Sequence, residues 1–274
     1  MADAAFAVPR CTEQSFVPAL LEICQREKVQ LLVPTIDTEL SVLALNRERF
    51  SEIGTRVVVS LPAVVSLARE KAETARFLVE AGVNVPQTLS MDGYRRDPKQ
   101  FSGPVIAKPV GGSSSVGIVR GKGVDDFAAL PTEGYLVQEL WQGREYTVNL
   151  FFDQAGGLRC VVPHWRIETR GGEVSKGRTE RVPQLEEAAR RMARALPGAR
   201  GPLCFQAIVK DSGEYAVFEI NARFGGGYPL AHRAGATFSK WLLEEAAGVP
   251  CTAHNDWKGG VTMLRYDAAV FRDV

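Results

Sequence analysis

The stretch that decides the fold is Leu203-Cys-Phe-Gln-Ala-Ile-Val-Lys210, then Asp211-Ser-Gly-Glu214, then Tyr215-Ala-Val-Phe-Glu-Ile-Asn221. It predicts two β-strands joined by a tight turn, because both flanks alternate and Ser212-Gly213 supplies turn residues. Counting the turn as two residues or as four gives the same register. In that register Lys210 lies opposite Tyr215, and Gln206 lies opposite Glu219.

One face of the second strand carries polar side chains. Because side chains alternate along a strand, this face is predicted to hold Tyr215, Val217, Glu219 and Asn221. Gln206 joins it from the facing strand, since directly opposed residues are near neighbours. Gln206, Glu219 and Asn221 therefore form a predicted cluster of oxygen-bearing side chains.

Such a cluster suits a hard cation. Oxygen ligands without cysteine or histidine favour Mg²⁺, and their low total charge leaves room for phosphate oxygens as further ligands. An ordinary amphipathic hairpin with a hydrated face is the alternative. The sequence that follows, Ala222-Arg-Phe-Gly-Gly-Gly-Tyr228, favours the metal, because an arginine and a glycine run suit polyphosphate.

Composition bounds the class of protein. At 274 residues the chain can bury a substantial core, and its net charge of +1 gives no support to bulk attraction to nucleic acid or membranes. The five cysteines are scattered without a CxxC pair, which predicts a reducing, cytoplasmic environment. No apolar run approaches a membrane span, and the first residues lack signal-peptide features.

The N-terminal part predicts a small parallel sheet. Strands at 6–8, 29–33 and 57–59 alternate with helices at 13–28 and, capped by Asp37 or Thr38, about 37–50. No leading strand with a glycine-rich turn precedes them, which argues against a dinucleotide-binding dehydrogenase.

Two lysines stand at unusual positions. Ser60-Leu-Pro62 opens a helical region, in which Lys71 falls on a predicted inward face with residues 75, 78 and 79. Lys108 shares a strand face with Ile106 and Val110, directly before Gly111-Gly-Ser-Ser-Ser115. Phosphate-binding ammonium groups beside a flap that covers an anion are one interpretation. A snorkelling lysine, an exposed edge strand and a plain loop are the others.

Further segments complete the pattern. Tyr135-Leu-Val-Gln-Glu-Leu-Trp141 is a predicted strand whose end could bind adenine, or could simply carry a hydrated carboxylate at Glu139. Strands follow at 145–152, 158–162 and 164–168, and helices at 183–196 and 238–247. The intervening segment 170–178 is interpreted as a polar, basic loop, either a surface turn or a substrate lid.

The ordered set resembles the ATP-grasp superfamily, most closely its carbamoyl-phosphate-synthase-like branch. The residues that carry the resemblance are Lys71-Ala-Glu-Thr-Ala-Arg76, Val105-Ile-Ala-Lys-Pro-Val-Gly-Gly-Ser-Ser-Ser-Val-Gly117, Gln138-Glu-Leu140, Glu145-Tyr146, Gln206 and Glu219-Ile-Asn-Ala-Arg-Phe-Gly-Gly-Gly227. It implies an α/β fold of two α+β subdomains that hold ATP between them. The implied divisions are a truncated Rossmann-like domain at 1–61 and an ATP-grasp domain at 62–274, with a flap subdomain at about 100–138.

The resemblance also implies roles for individual residues. Those implied to contact the nucleotide are Lys71, Lys108, Ser113, Ser114, Ser115, Gly117, Glu139, Leu140, Trp141, Glu145 and Phe218. Gln206, Glu219 and Asn221 are implied to bind Mg²⁺ (or Mn²⁺). Arg223, together with Lys108, is implied to stabilise the transferring phosphoryl group.

The implied activity is an ATP-dependent ligase that joins a carboxylate or bicarbonate to an amine or ammonia through an acyl phosphate. A phosphotransferase and a nucleotide-binding regulatory subunit are the alternatives. The implied partners are small-molecule substrates, with a homodimer or a partner subunit also open, and neither nucleic acid nor membrane. Candidates for holding the substrate carboxylate are Arg166, Lys176, Arg178 and Arg233.

Overall fold

Three β-sheets organise the chain, and the computed structural model describes residues 3–110 and 117–269. One sheet has two strands, one has four and one has six. The two larger sheets, each with its own helices, match the two α+β subdomains expected from the sequence. The confirmed fold class is therefore mixed α/β.

The N-terminal part contains the small parallel sheet that the sequence predicts. Its elements are α1 (Phe16–Arg26), β1 (Leu31–Leu32), α2 (Asp37–Glu52) and β2 (Arg56–Val57), and β1 pairs in parallel with β2. The predicted strand at residues 6–8 is wrong, because this segment has no neighbouring strand and leaves Phe6 and Val8 exposed. Helix α2 is capped by the side chain of Glu39, which accepts the amides of residues 35 and 36, rather than by Asp37 or Thr38.

Two short helices connect this part to the rest. They are α3 (Pro62–Arg69), which has proline in its first turn as predicted, and α4 (Lys71–Glu80). The buried residues of α4 are Thr74, Phe77 and Leu78, whereas Val79 is 61% exposed. The predicted inward face was therefore wrong at Val79, because α4 turns the side that includes residues 74 and 78 toward α3 and β11.

The four-stranded sheet follows in the chain. Its elements are β3 (Thr88–Ser90), α5 (Met91–Arg96), β4 (Val105–Pro109), β5 (Val119–Gly121) and β6 (Tyr135–Glu139). All its pairs are antiparallel, in the order β3-β6-β4-β5. A small separate core centred on Tyr94 and Phe127 covers one face, which makes this sheet a compact unit of its own.

The six-stranded sheet is also antiparallel and contains the hairpin identified from the sequence. Its elements and their helices are β7 (Arg144–Phe152), β8 (Leu158–Arg170), β9 (Glu173–Thr179), α6 (Pro183–Ala195), β10 (Gly201–Val209), β11 (Tyr215–Asn221), α7 (Tyr228–Arg233), α8 (Phe238–Ala246) and β12 (Thr262–Leu264). The strand order is β11-β10-β7-β8-β9-β12, so β11 forms an edge. Helix α6 covers one face through its predicted stripe, which includes the buried Leu185 and Met192.

Strand β9 corrects the interpretation of 170–178 as a loop. Only a short turn at residues 171–172 separates it from β8, and β8 continues unbroken where two strands were predicted. Val174, Ser175 and Thr179 are buried. Because charged residues stand between them, the sequence does not show the alternation that is typical of a strand. The charged side chains lie on the solvent side of an ordinary strand.

The opposite face of the large sheet carries a second core at one end. Phe151 of β7 packs there against Phe238 and Trp241 of α8. Further along this face lie the polar residues Thr147, Asn149 and His164, and at the β11 edge a small cavity is lined by residues of both larger sheets. Within the described part of the chain, no helix combines the length and apolar character that a membrane span requires.

Candidate active site

A three-residue loop closes the hairpin of β10 and β11. The amide of Lys210 donates to the carbonyl of Glu214 (2.8 Å), and the amide of Gly213 donates to the carbonyl of Lys210 (2.9 Å). Gly213 has φ +89°, a left-handed conformation that glycine adopts without strain. The predicted pairing of Lys210 with Tyr215 is wrong, because three loop residues shift the register by one and pair Val209 with Tyr215.

A β-bulge then restores the register. Ala207 pairs with Val217 but Gln206 pairs with Glu219, so that Phe218 is the extra residue. The predicted opposition of Gln206 and Glu219 is thus confirmed, although the alternation is not. A bulge reverses which residues point to each face.

The reversal separates the four residues predicted to share a face. Tyr215 and Val217 pack into the main core together with Ile220. Glu219 and Asn221 lie on the other face, with Gln206, where the two larger sheets meet. The bulge therefore lets one strand contribute to the core at one end and to the candidate site at the other.

Gln206, Glu219 and Asn221 form an unsatisfied set of oxygen ligands. Within residues 3–110 and 117–269, none of their side chains makes a hydrogen bond or an ion pair, although Asn221 is buried. Burial raises the pKa of Glu219, whereas the positive charges of Lys108 and Lys71 act to lower it. Their side-chain oxygen atoms remain accessible to solvent, so a cation can displace water and bind them. The donor set fits Mg²⁺.

Two lysines bring positive charge to the same place. Lys71 begins α4 and donates from Nζ to the carbonyl oxygen of Val110 (3.3 Å). Lys108 lies on β4 with only 8% of its surface exposed, and burial lowers its pKa to about 8. The negative charge of Glu219 acts to raise this pKa, whereas the positive charge of Lys71 lowers it further. The two ammonium groups and the Glu219 carboxylate thus act on one another across the junction of the two sheets.

Gln138 holds Lys108 in place, a contact that the sequence prediction, which placed Gln138 in the strand end proposed for adenine, did not include. The Nζ of Lys108 donates to Oε1 of Gln138 (3.0 Å), whose Nε2 donates to Oγ1 of Thr88 (2.8 Å). This chain of hydrogen bonds determines the orientation of the amide and leaves the ammonium two further N–H groups. Its signal in the sequence was a polar residue inside an apolar strand.

The segment predicted to bind adenine lies at the end of β6. The amides of Glu139 and Leu140 donate to the carbonyls of Gln87 and Pro104, both at 2.9 Å. The Glu139 carboxylate accepts from Nε1 of Trp141 (2.8 Å), and the ammonium of Lys210 lies 4.0 Å from the centre of the Trp141 ring. Adenine recognition by this segment stays a prediction, and these amides are already engaged within the protein.

Glu145 forms a contact that the sequence did not indicate. Its carboxylate lies 2.9 Å from Nε of Arg166, whose terminal nitrogens donate to Oγ1 of Thr147 (3.1 Å) and to the carbonyl of Gly172 (2.7 Å). Arg166 thereby joins β7 to the β8–β9 turn. To hold a substrate carboxylate, as predicted, Arg166 would have to give up or share these contacts. Glu145 would likewise have to give up or share its contact with Arg166 in order to bind ribose.

The predicted flap lies mostly outside the described residues. Ser113, Ser114 and Ser115 belong to that segment, whereas Gly117 is described. Gly117 lies beside the ring of Pro109 and the hydroxyl of Tyr135. The predicted coverage of phosphates by this flap therefore stays a prediction.

A pocket of about 130 Å³ opens beside β11. Phe218 adds an apolar wall, and the polar lining comprises Asp37, Thr38, Arg69, Lys71, Thr74, Glu219 and Asn221. Sequence reasoning missed Asp37, Thr38 and Arg69. Asp37 and Thr38 follow β1, and the carboxyl end of a parallel strand is where such sheets bind ligands.

Arg223 follows the candidate metal strand and does not extend freely toward the pocket. It makes a bidentate ion pair with Asp37 of α2, in which Nη2 lies 2.6 Å from Oδ2. The side chain implied to stabilise a phosphoryl group is therefore held by the N-terminal part of the chain.

The ATP-grasp domain family model matches residues 68–227. The chain belongs to the ATP-grasp family. Residues 1–58 also match the PylC-like N-terminal domain, which agrees with the separate parallel sheet in that part. The resemblance inferred from the ordered motifs is thereby confirmed.

Among curated proteins, this ATP-grasp chain is similar to a 5-formaminoimidazole-4-carboxamide ribofuranosyl monophosphate synthetase of Methanosarcina acetivorans. The two are 22% identical over 244 residues, which cover 74% of this chain and 66% of that protein. The corresponding protein of Methanosarcina barkeri is 23% identical over 261 residues, covering 80% of this chain and 70% of its own length. This chain thus spans about two thirds of the relatives it matches.

Solved structures of ATP-grasp enzymes share the fold. Biotin carboxylase of Campylobacter jejuni gives a TM-score of 0.72 at 16% identity, over 88% of this chain and 60% of that one. An L-amino acid ligase of Bacillus licheniformis gives 0.66 at 16% identity, over 87% and 61%. These identities are low enough that the comparison establishes the fold alone.

The other candidates for a substrate carboxylate lie apart from the pocket of this ATP-grasp chain. Lys176 pairs with Glu168 on the exposed side of β9 (2.6 Å), and Arg178 is exposed on the same strand. Arg233 is exposed at the end of α7. None of the three contributes to the pocket beside β11.

The glycine run after Arg223 packs against the polar face of the sheet. A Cβ added to Gly227 would lie 2.5 Å from Nε2 of His164 and 2.8 Å from Cγ1 of Val174. His164 is fully buried, and burial lowers its pKa to about 3, so the ring is neutral. The glycine run therefore allows close packing at this position. Its predicted role, contact with polyphosphate, stays a prediction.

We expect Gly227→Ala to lower the melting temperature by a few degrees, because overpacking a filled site costs about 1–3 kcal/mol. Gly259→Ala is the matched control, since a Cβ there meets no atom within 4 Å and its φ is not left-handed. Thermal unfolding monitored by circular dichroism measures both variants. Equal melting temperatures would show that the backbone near His164 adapts.

Proposed function

We propose that this chain binds ATP with Mg²⁺ and uses it to activate a carboxylate or bicarbonate, which an amine or ammonia then attacks. The observation that carries the proposal is the set formed by Gln206, Glu219 and Asn221, three oxygen-bearing side chains without partners in the described residues, beside Lys71 and the buried Lys108. A site of this kind places a divalent ion and two cations around a polyphosphate.

The chemistry divides into two steps. In the first, a carboxylate oxygen attacks the γ-phosphorus and ADP leaves, giving an acyl phosphate. In the second, the amine nitrogen attacks the acyl carbon, phosphate leaves and the nitrogen loses a proton. No protein nucleophile takes part, so the task of the protein is to position and neutralise charge.

The residues of this chain divide that task. Gln206, Glu219 and Asn221 hold Mg²⁺, which when bound neutralises phosphate charge as a Lewis acid. Lys71 and Lys108 donate to phosphate oxygens, and the low exposure of Lys108 strengthens that interaction because little water competes. Glu139, Leu140 and Trp141 are proposed for the base, Glu145 for the ribose, and Arg223 for the transferring group.

The substrates are proposed as small molecules. The names of similar proteins span a ribonucleotide carboxamide, an amino acid and the biotin carboxylases, which indicates the range of acceptors to test. Five free cysteines support a reducing compartment, and we propose the cytoplasm. A measurement of the molecular mass in solution would test whether the chain forms a homodimer or binds a partner subunit.

An ADP-release screen tests the proposal. Formate, bicarbonate and amino acids are crossed with ammonia, amino acids and an aminoimidazole carboxamide ribonucleotide, with Mg²⁺ and ATP. A ligase sustains ADP release over many turnovers only when both partners are present, and a new C–N bond appears in the product. A phosphorylated carboxylate that accumulates in solution without amine would instead identify a phosphotransferase, and binding of MgADP without turnover a regulatory subunit.

Nucleotide binding should take up a proton at alkaline pH. Free Lys108 has a pKa of about 8 and becomes neutral above it, whereas a bound phosphate favours the ammonium. Calorimetry of MgADP binding in buffers of different ionisation enthalpy should therefore give more proton uptake at about pH 8.5 than at about pH 6.5. Lys108→Arg, which keeps its charge, should remove the difference, and equal uptake in both proteins would contradict the assignment.

A further inference from the structure

An ion pair joins the N-terminal part of the chain to the strand that carries the candidate site. Asp37 is the first residue of α2, after the short loop 33–36 that follows β1, whereas Arg223 comes two residues after Asn221. Nε and Nη2 of Arg223 donate to Oδ1 and Oδ2 of Asp37, at 2.9 and 2.6 Å. Two elements that are 186 residues apart in sequence thus meet at the pocket.

We infer that Asp37 is a positioning residue for Arg223, and that through this pair the N-terminal part takes a direct share in phosphoryl transfer. The inference rests on the proposed function. It goes beyond that function because it assigns a role in the reaction to a residue outside the ATP-grasp domain match, which begins at residue 68.

The hydrogen-bond inventory of Arg223 supports the assignment. A guanidinium has five N–H groups, and Asp37 accepts two of them while the carbonyl of Phe224 accepts one from Nη1 (3.0 Å). Two N–H groups therefore remain, one on each terminal nitrogen. A bidentate carboxylate fixes the plane of the fork, so these two groups have a defined direction.

The pocket lining places the pair beside the candidate metal ligands. Asp37 lines the pocket together with Glu219, Asn221 and Lys71. The guanidinium is thus held next to the predicted phosphate site by a residue that faces the same pocket.

Positioning matters because an arginine side chain is long and has many rotamers. A cation that is oriented before the reaction stabilises developing charge without first paying to reorganise. Without its carboxylate, Arg223 would be free to turn toward Glu219 or toward solvent. The expected consequence is slower chemistry with nearly unchanged nucleotide binding, because Lys71, Lys108 and the metal ligands are untouched.

A matched control exists on the surface. Arg170 and Asp267 form another bidentate pair, at 2.8 and 2.6 Å, between the end of β8 and the C-terminal segment. This pair is exposed, with 60% of the Arg170 side chain and 78% of that of Asp267 accessible. Asp267→Asn therefore removes a similar ion pair without touching the pocket.

The experiment compares Asp37→Asn, Asp37→Glu and Asp267→Asn in the full chain. We expect Asp37→Asn to lower kcat by about ten- to a hundredfold while the Kd for MgADP changes by less than about twofold. Asp37→Glu should recover part of the loss, and Asp267→Asn should match the unchanged protein. In Arg223→Lys, adding Asp37→Asn should cost little more, because the two residues act as one unit.

Several results would overturn the inference. They are an unchanged kcat in Asp37→Asn, or a loss of kcat matched by weaker MgADP binding and a lower melting temperature, which is the behaviour of a structural anchor. A further one is full additivity with Arg223→Lys. The two failures are distinguishable. The proposed function fails if the unchanged chain releases no ADP with any substrate pair, whereas the inference about Asp37 fails only through the behaviour of the variants.

Discussion

Glu219→Gln is expected to abolish magnesium-dependent ADP release, by about a thousandfold or more. Glu219 is the only carboxylate among the three candidate metal ligands, so the variant leaves neutral oxygens alone to compete with water for Mg²⁺. A metal supplies several kcal/mol of charge stabilisation to phosphoryl transfer, and each 1.4 kcal/mol corresponds to about tenfold in rate.

The fold should survive this substitution. Burial raises the pKa of Glu219, which means that the folded protein disfavours its charge, and glutamine has nearly the same shape. The melting temperature without Mg²⁺ is therefore expected to be retained, while the increase caused by MgADP should disappear. Differential scanning fluorimetry with and without MgADP measures both.

Glu214→Gln is the matched control for this prediction. Glu214 lies in the same hairpin, but it is exposed near the turn and its carboxylate accepts from Ser212 (3.0 Å). Its replacement should leave ADP release and the response to MgADP intact. A Glu219→Gln protein that retains full turnover would overturn the metal site and, with it, the ligase.

Lys108→Met is expected to lower ADP release by about a hundred- to a thousandfold, the usual cost of removing one preorganised donor from a charged transition state. Methionine keeps about the length and the apolar stem of the lysine side chain. The lost group is the ammonium of a residue that is 8% exposed, and Gln138 positions it. Steady-state assays with saturating ATP measure the effect.

A lysine elsewhere on the protein serves as the control. Lys240 pairs with Glu244 on the outside of α8, far from the polar face, and Lys240→Met should leave turnover unchanged. The result against the prediction would be a Lys108→Met enzyme with normal kcat and normal affinity for ATP. Lys108 would then be a buried lysine that serves packing alone.

The hairpin shows how a correct prediction can rest on an incomplete model. Gln206 does lie opposite Glu219, but only because a three-residue loop and a bulge at Phe218 shift the register in opposite directions. Neither shift is marked by a residue type that pattern reasoning detects. The same bulge sends Val217 to the core, which alternation alone had excluded.

Charged strands were the other source of error. Strand β9 was interpreted as a loop, because its sequence is rich in charged and glycine residues. It is a strand because its own Val174 and Thr179 are buried and because β8 and β12 supply hydrogen bonds at its two edges. Pairing with neighbouring strands overrides local composition.

The sequence by itself determined the fold family, the alternation of helices and strands in the N-terminal part, and the residue types available for a metal and a polyphosphate. These follow from local patterns and from the order of motifs along the chain. Only the tertiary structure decided that Asp37 holds Arg223, that Arg166 pairs with Glu145, and that Gln138 orients Lys108. The reason is physical: each of these contacts joins residues of different elements, and each depends on side-chain directions that only packing sets.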